Sequence, residues 1–187
     1  MKNVFLAVAL IAFAATGLQA QKYFTREGSI SFFSDAPLEK IEAHNGQATS
    51  VIDFESGKME IAVLIKAFQF EKALMEEHFN ENYMESSKYP KALFKGQIAD
   101  LKGVDLEKEG TYPVKVIGSM TIHGVTNELE VPAELTIDKE GVLTGNTNFE
   151  LVLADYEIAI PSVVKDNIAK TVKVTANFNF QEFKKGS

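Results

Sequence analysis

The sequence predicts an all-β fold, an eight-stranded antiparallel β-barrel carrying one short helix. Three observations lead there. Most of the chain alternates apolar and polar residues with period two, the mark of strands with one buried face. The segments between these runs are mostly short and rich in Gly, Asn, Asp and Ser, so consecutive strands are expected to be antiparallel neighbours. Eight long strands must also manage their edges, and closing into a meandering barrel removes them, which favours a barrel over a two-sheet sandwich.

The first twenty residues stand apart from this pattern. Lys2 precedes the apolar run Val4 to Ala15 and then TGLQA, which reads as an export signal too short to span a bilayer. Cleavage is expected near Ala20, leaving residues 21–187 as one domain with a sizeable core. Removing Lys2 takes the formal net charge from −7 to −8, and no Lys/Arg run offsets it. Nucleic acid is therefore not an expected partner. The chain has no cysteine, so disulfides, a thiol nucleophile and a lipidated cysteine are excluded.

Weak alternation marks a first strand at Gly28 to Ser34 and a second at Gln47 to Phe54, with Asn45-Gly46 expected to turn between them. Glu55-Ser56-Gly57-Lys58 turns the chain into Lys58 to Ala67. The next segment, Glu71 to Asn82, places Phe70, Leu74, His78 and Asn82 four residues apart, with Met75 and Phe79 alongside. It reads as a short helix ended by the YMESSKYP loop. Strands follow at Lys91 to Leu101, Tyr112 to His123 and Asn127 to Ile137. In the last of these Leu129, Val131, Ala133, Leu135 and Ile137 share one face. Asp138-Lys139-Glu140-Gly141 turns into a strand ending at Leu153, and Asp155 to Lys170, interrupted by Pro161, reads as a loop with room for a helical turn. The clearest strand is the last, Thr171 to Phe183, where Val172, Val174, Ala176, Phe178 and Phe180 lie opposite Thr171, Lys173, Thr175, Asn177 and Asn179.

The polar residues offer little chemistry. His123 has the parity of Lys115, Ser119 and Thr121, so it is expected to point outward or to cap the hairpin that Gly124 turns. His44 falls in the expected turn HNGQ, and His78 lies on the helix with Met75 where a metal-binding Glu-x-x-His pair would need glutamate. No metal or cofactor is expected. There is no G-x-S-x-G elbow, Ser119 and Thr121 lack an orienting acid, and Glu76-Glu77 reads as the charged side of a helix. An enzyme is not supported.

The inward face says more. Four strands place a small residue between bulky ones: Ala92-Phe94-Gly96-Ile98, Val116-Gly118-Met120, Val131-Ala133-Leu135 and Val174-Ala176-Phe178. Either these positions leave an apolar hollow along the axis, or the glycines let the strands curve and the alanines fit the taper of a solid core. The residues alone leave both readings open.

Three motifs occur in an order that resembles the YceI-like polyisoprenoid-binding family. EEHFNENYMESSKYPKALFKG is similar to that family's helix, loop and Tyr-Pro approach to the next strand. GSMTIHGVTNELEVPAELTI resembles its Gly-x-Leu-Thr-x-His-Gly-Val-Thr hairpin, and FELVLADYEIAIP its later Asp-aromatic motif, with Glu157 where the family usually has Gly. The likeness covers essentially the whole chain after the signal.

The resemblance implies an extended, lipocalin-like barrel in the periplasm that binds, transports or stores a polyisoprenoid or similar long-chain amphiphile without catalysis. Carried onto this sequence, it has Phe94, Ile98, Val116, Gly118, Met120, Leu129, Val131, Val174 and Phe178 lining the lumen. Leu74 and Phe79 of the helix would cover one end. The expected partner is an isoprenoid or fatty-chain lipid, and transient membrane contact and a homodimer are both compatible with that reading. The alternative is a stress-related structural or interaction protein with a filled barrel core.

Overall fold

The computed structural model describes residues 21–183, so the expected export signal, residues 1–20, lies outside the described residues. The strands are β1 (Lys22–Asp35), β2 (Lys40–Asp53), β3 (Lys58–Leu64), β4 (Gln69–Phe70), β5 (Lys91–Ala99), β6 (Gly110–Ile122), β7 (Val125–Ile137), β8 (Leu143–Val152) and β9 (Thr171–Glu182). All but β4 are long. They run antiparallel in the order β1-β9-β8-β7-β6-β5-β3-β2, and β2 pairs back onto β1 to close the ring. The two-residue β4 pairs with β2 through Ala43↔Phe70 and His44↔Gln69, where β3 has ended and a 3-10 turn, Ile65–Ala67, has taken over.

The parity read from the sequence is the parity of the barrel wall. Val172, Ala176, Phe178 and Phe180 are buried, as are Val131, Leu135 and Ile137, while their neighbours face solvent. On the outer face Ser119 donates to Glu128 at 2.8 Å, Thr121 and Thr126 hydroxyls meet at 2.7 Å, and Lys115 pairs with Glu130 at 2.6 Å. These are cross-strand pairs of an exposed sheet surface.

The first two strands differ from expectation. Asn45-Gly46 does not turn the chain, because both residues lie within β2, and the hairpin turns instead at residues 36–39 with Ala36 N–H donating to Glu39 C=O at 3.1 Å. His44 is accordingly a strand residue, exposed and 3.3 Å from Glu42. Register shifts flank Gly28, so β1 and β2 carry compensating irregularities. Asn45, only 1% exposed, holds the β2 irregularity: its Oδ1 accepts from Gln47 N–H and its Nδ2 donates to Leu64 C=O, both at 2.8 Å. The same Asn-Gly chemistry that suits a turn here suits a bulge. Gly28 is required for a different reason, since a Cβ there would come within 2.4 Å of the Phe178 ring.

The helix is shorter than the expected 71–82. An α-helix, α1 (Ala73–His78), passes into a π-helical turn over Phe79–Tyr83, and no side chain caps its start. So short a helix has little stability of its own and is held by packing. Phe79 supplies it, lying 5.0–5.6 Å, centroid to centroid, from the rings of Phe32, Phe68 and Phe70. The segment read as a loop with a helical turn carries two 3-10 turns, Leu153–Tyr156 and Ser162–Val164.

Replacing Asn45 with Ala leaves the Leu64 carbonyl and the Gln47 amide without their partner in a buried bulge. The expected loss is about 1–3 kcal/mol, measured by urea unfolding, and a change within about 0.5 kcal/mol, the range of an ordinary surface substitution, would contradict this assignment.

Candidate functional site

The barrel is hollow. A cavity of about 420 Å³ runs between its walls, lined almost entirely by apolar side chains. Its floor is set by Phe178, Phe180 and Leu135, with Ile137 and Leu143 buried beyond them. Its walls are the inward residues of every long strand. Leu129, Ala133, Phe149 and Val174 line the cavity and are only half-buried, although they pack against the buried cluster. A filled core does not fit this geometry.

Small residues keep the walls apart. Ala92, Ala133, Gly145 and Ala176 all line the cavity. A Cβ at Gly145 would lie 3.1 Å from the Phe180 ring, so the absence of a side chain there leaves room for that ring at the floor.

Of the residues read as lumen-lining, Phe94, Ile98, Val116, Met120, Leu129, Val131, Val174 and Phe178 line the cavity, and so does Phe79 of the helical segment. Gly118 does not. It sits opposite Gly96, and a Cβ on it would come within 2.4 Å of the Lys95 carbonyl oxygen and 2.5 Å of the Gly96 Cα. The two glycines allow a close approach of β5 and β6 backbones, so Gly118 shapes the wall and contributes no surface to the cavity. Leu74 does not cover the end either. It is 60% exposed and points outward, and the neighbouring Met75 faces the cavity in its place.

Polar and surface residues enter the cavity lining at two places in particular. One is the end beneath α1, where Glu39, Met75, His78, Val164 and Asn167 line the mouth. Its three rim segments are tied together: Glu39 Oε1 lies 3.3 Å from Lys72 Nζ, Asn167 Nδ2 donates to Glu39 Oε2 at 3.4 Å, and Leu38 N–H donates to Asp166 C=O at 2.9 Å. Each segment also presents one apolar side chain to solvent: Leu38 (72% exposed), Leu74 and Val163 (87%).

The other opening is lateral. β7 and β8 pair only over Glu134–Ile137 against Leu143–Asn146, and beyond that the ladder stops. Pro132 explains the stop. Thr147 Oγ1 donates to its carbonyl at 2.7 Å, so the β8-facing side of Pro132 is also the side on which its N–H is missing. The cavity lining includes Glu134 and Asn146 from the outer faces of the two strands, together with Thr147, which places an opening along this seam. Pro132 was the available sequence signal for it.

His123 is part of neither opening. With Gly124 it makes the two-residue β6–β7 turn, both residues at positive φ (52° and 82°), as a tight hairpin requires. Its ring does not point into solvent as one expectation had it, since it is 12% exposed and packs on the barrel end. Nε2 lies 2.9 Å from Glu85 Oε2, Nδ1 3.2 Å from the Tyr156 carbonyl oxygen, and the Tyr89 ring stands edge-on at 4.8 Å. The histidine thus joins the 83–90 loop, the hairpin and the 153–156 turn. Glu157, next in that turn, has φ 55°, a conformation that glycine adopts without strain and glutamate does not. Burial raises the Tyr156 phenol above its usual range, helped by the Asp155 charge, and burial alone raises that of Tyr83, which lines the cavity. Among the described residues no group of His, Asp and Glu is arranged to hold a metal ion.

A profile of the YceI-like domain matches residues 19–180. The chain belongs to the YceI-like family. None of the curated proteins matches it in sequence. Among solved structures it is similar to a polyisoprenoid binding domain from Saccharophagus degradans implicated in plant cell wall breakdown, with a TM-score of 0.76 at 14% identity over 88% of this chain and 100% of that one. It is also similar to Burkholderia cenocepacia BcnA (TM-score 0.69, 15% identity, 82% and 96% covered). The Campylobacter jejuni YCEI protein aligns at a TM-score of 0.51 and 19% identity, over 99% and 100% of the two chains. At these identities the likeness is one of fold, and it agrees with the closed eight-stranded barrel of this YceI-like chain.

Gly118→Ala is expected to lower stability by about 1–3 kcal/mol or more, because the atoms it meets are backbone and cannot swing aside. Gly103→Ala, where a Cβ meets nothing within 4 Å, is the control. Thermal unfolding of the two variants measures the difference, and equal melting temperatures would contradict the close β5–β6 approach.

Proposed function

We propose that this YceI-like protein is a non-catalytic carrier that holds the tail of a polyisoprenoid or similar long-chain amphiphile in its barrel, in an exported compartment. The observation that carries the reading is the apolar hollow of about 420 Å³ with openings at one end and along the β7–β8 seam. The polyisoprenoid binding named for the Saccharophagus degradans domain supports it by family likeness, and the apolar run of residues 4–15 supports export.

Capacity and affinity follow from the volume. At about 30 Å³ per water-sized group, the hollow takes on the order of 14 carbon groups, roughly three isoprene units. Each buried CH₂ contributes about 0.8 kcal/mol, so three units bring on the order of 10–12 kcal/mol before association costs of at least about 4 kcal/mol. The remainder corresponds to dissociation constants of roughly 1–40 μM. A longer tail must leave through an opening. At the mouth, the exposed Leu38, Leu74 and Val163 would let the rim touch a bilayer, so that a tail passes from membrane to lumen without crossing water.

The test is a chain-length series of prenols bound at equilibrium. Affinity should climb with each isoprene unit up to about three or four units and then flatten. Ala133→Phe, which fills part of the hollow, should weaken every member by about tenfold or more without lowering the melting temperature. Affinity that rises without a plateau and ignores Ala133→Phe would place the tail outside the lumen.

A further inference from the structure

Resting on that carrier reading, we propose that the cavity selects lipids with an uncharged head group and rejects those ending in phosphate or carboxylate. The inference comes from what lines the hollow. Among the described residues its lining contains no lysine or arginine, and its two carboxylates, Glu39 and Glu134, stand one at each opening.

A tail seated in the lumen leaves its head at an opening, and the mouth and the seam are the openings at which carboxylates enter the lining. At the mouth the head meets Glu39. The nearest ammonium, Lys72, lies outside the lining and is already turned to Glu39 Oε1 at 3.3 Å. At the seam the head meets Glu134, which has no ion-pair partner among the described residues. At the seam an anionic head trades its hydration for the unpaired Glu134 carboxylate beside an apolar wall, where like charges repel more strongly than in water. At the mouth Glu39 already occupies Lys72, so the head gains no new ion pair from that lysine.

An uncharged head finds partners. Besides these carboxylates, the polar groups of the lining are the Tyr83 hydroxyl, the Asn146 and Asn167 amides and the hydroxyls of Ser34 and Thr147, together with the exposed His78 imidazole. Burial keeps the Tyr83 phenol protonated to higher pH than usual, so it remains a neutral donor. Hydroxyls and amides of this kind match an alcohol, ester or amide head.

Geranylgeraniol and geranylgeranyl phosphate share a tail and differ in the head, so they isolate this effect. Each is titrated against protein loaded with the neutral probe N-phenyl-1-naphthylamine, whose fluorescence falls on displacement. The alcohol should displace the probe at a concentration at least about tenfold lower than the phosphate. Added salt should narrow that gap by screening the carboxylates. A Glu39→Lys/Glu134→Lys double variant should narrow it further, and Glu39→Gln/Glu134→Gln serves the same purpose if lysines disturb folding. Equal or tighter binding of the phosphate, or a gap indifferent to both salt and the double variants, would overturn the proposal. Failure of both lipids to displace the probe would overturn the carrier reading beneath it.

Discussion

An eight-stranded barrel stands at the boundary between solid and hollow: its interior is just wide enough either to be filled by its own side chains or to hold one small ligand. Which of the two a given chain adopts depends on the volume of a few wall residues. In this protein Ala92, Ala133, Gly145 and Ala176 hold those positions, and a cavity of about 420 Å³ stands between walls that a handful of leucines would have closed. The cost is the packing that a filled core would have provided. The aromatic cluster of Phe32, Phe68, Phe70 and Phe79 under α1 recovers part of it at one end, and Phe178 and Phe180 pack together at the other.

The period-two pattern made most of the wall legible, because strand parity sends every second side chain inward whatever the details of pairing. Where parity was sufficient, as in β9 or β7, the buried residues all lie on the face it assigns inward. It was not sufficient where two backbones approach each other. Gly118 has inward parity yet contributes no surface, because its use lies in its contact with Gly96, and nothing in either strand alone shows that the two glycines stand opposite. Asn45-Gly46 carries the chemistry of a turn and of a bulge equally, and only the partner strand decides between them. Leu74 shares a helical face with residues that line the cavity, but α1 ends after six residues and that face is split between lumen and solvent.

Two further features were read from the sequence only in part or not at all. Pro132, on the outer parity of a long strand, is a residue that a fully paired strand does not tolerate, and it marks the seam where β8 parts from β7. His123 has outward parity at a hairpin tip, but positive φ at His123 and Gly124 folds the ring back against Glu85, Tyr89 and Tyr156. Its role is to fasten the loops around the end of the barrel. The lumen, its two openings and the charge at each therefore arise from separate local causes, namely small wall residues, a missing amide and two glutamates.

The account depends on a greasy molecule being able to lodge within the wall of strands. Native mass spectrometry of the full chain, purified after export in detergent-free buffer, tests this most directly. The account predicts protein ions carrying an added mass that organic solvent removes and that the extract identifies as a long-chain, uncharged-headed lipid. A spectrum of bare protein that stays bare after incubation with a prenol would contradict it.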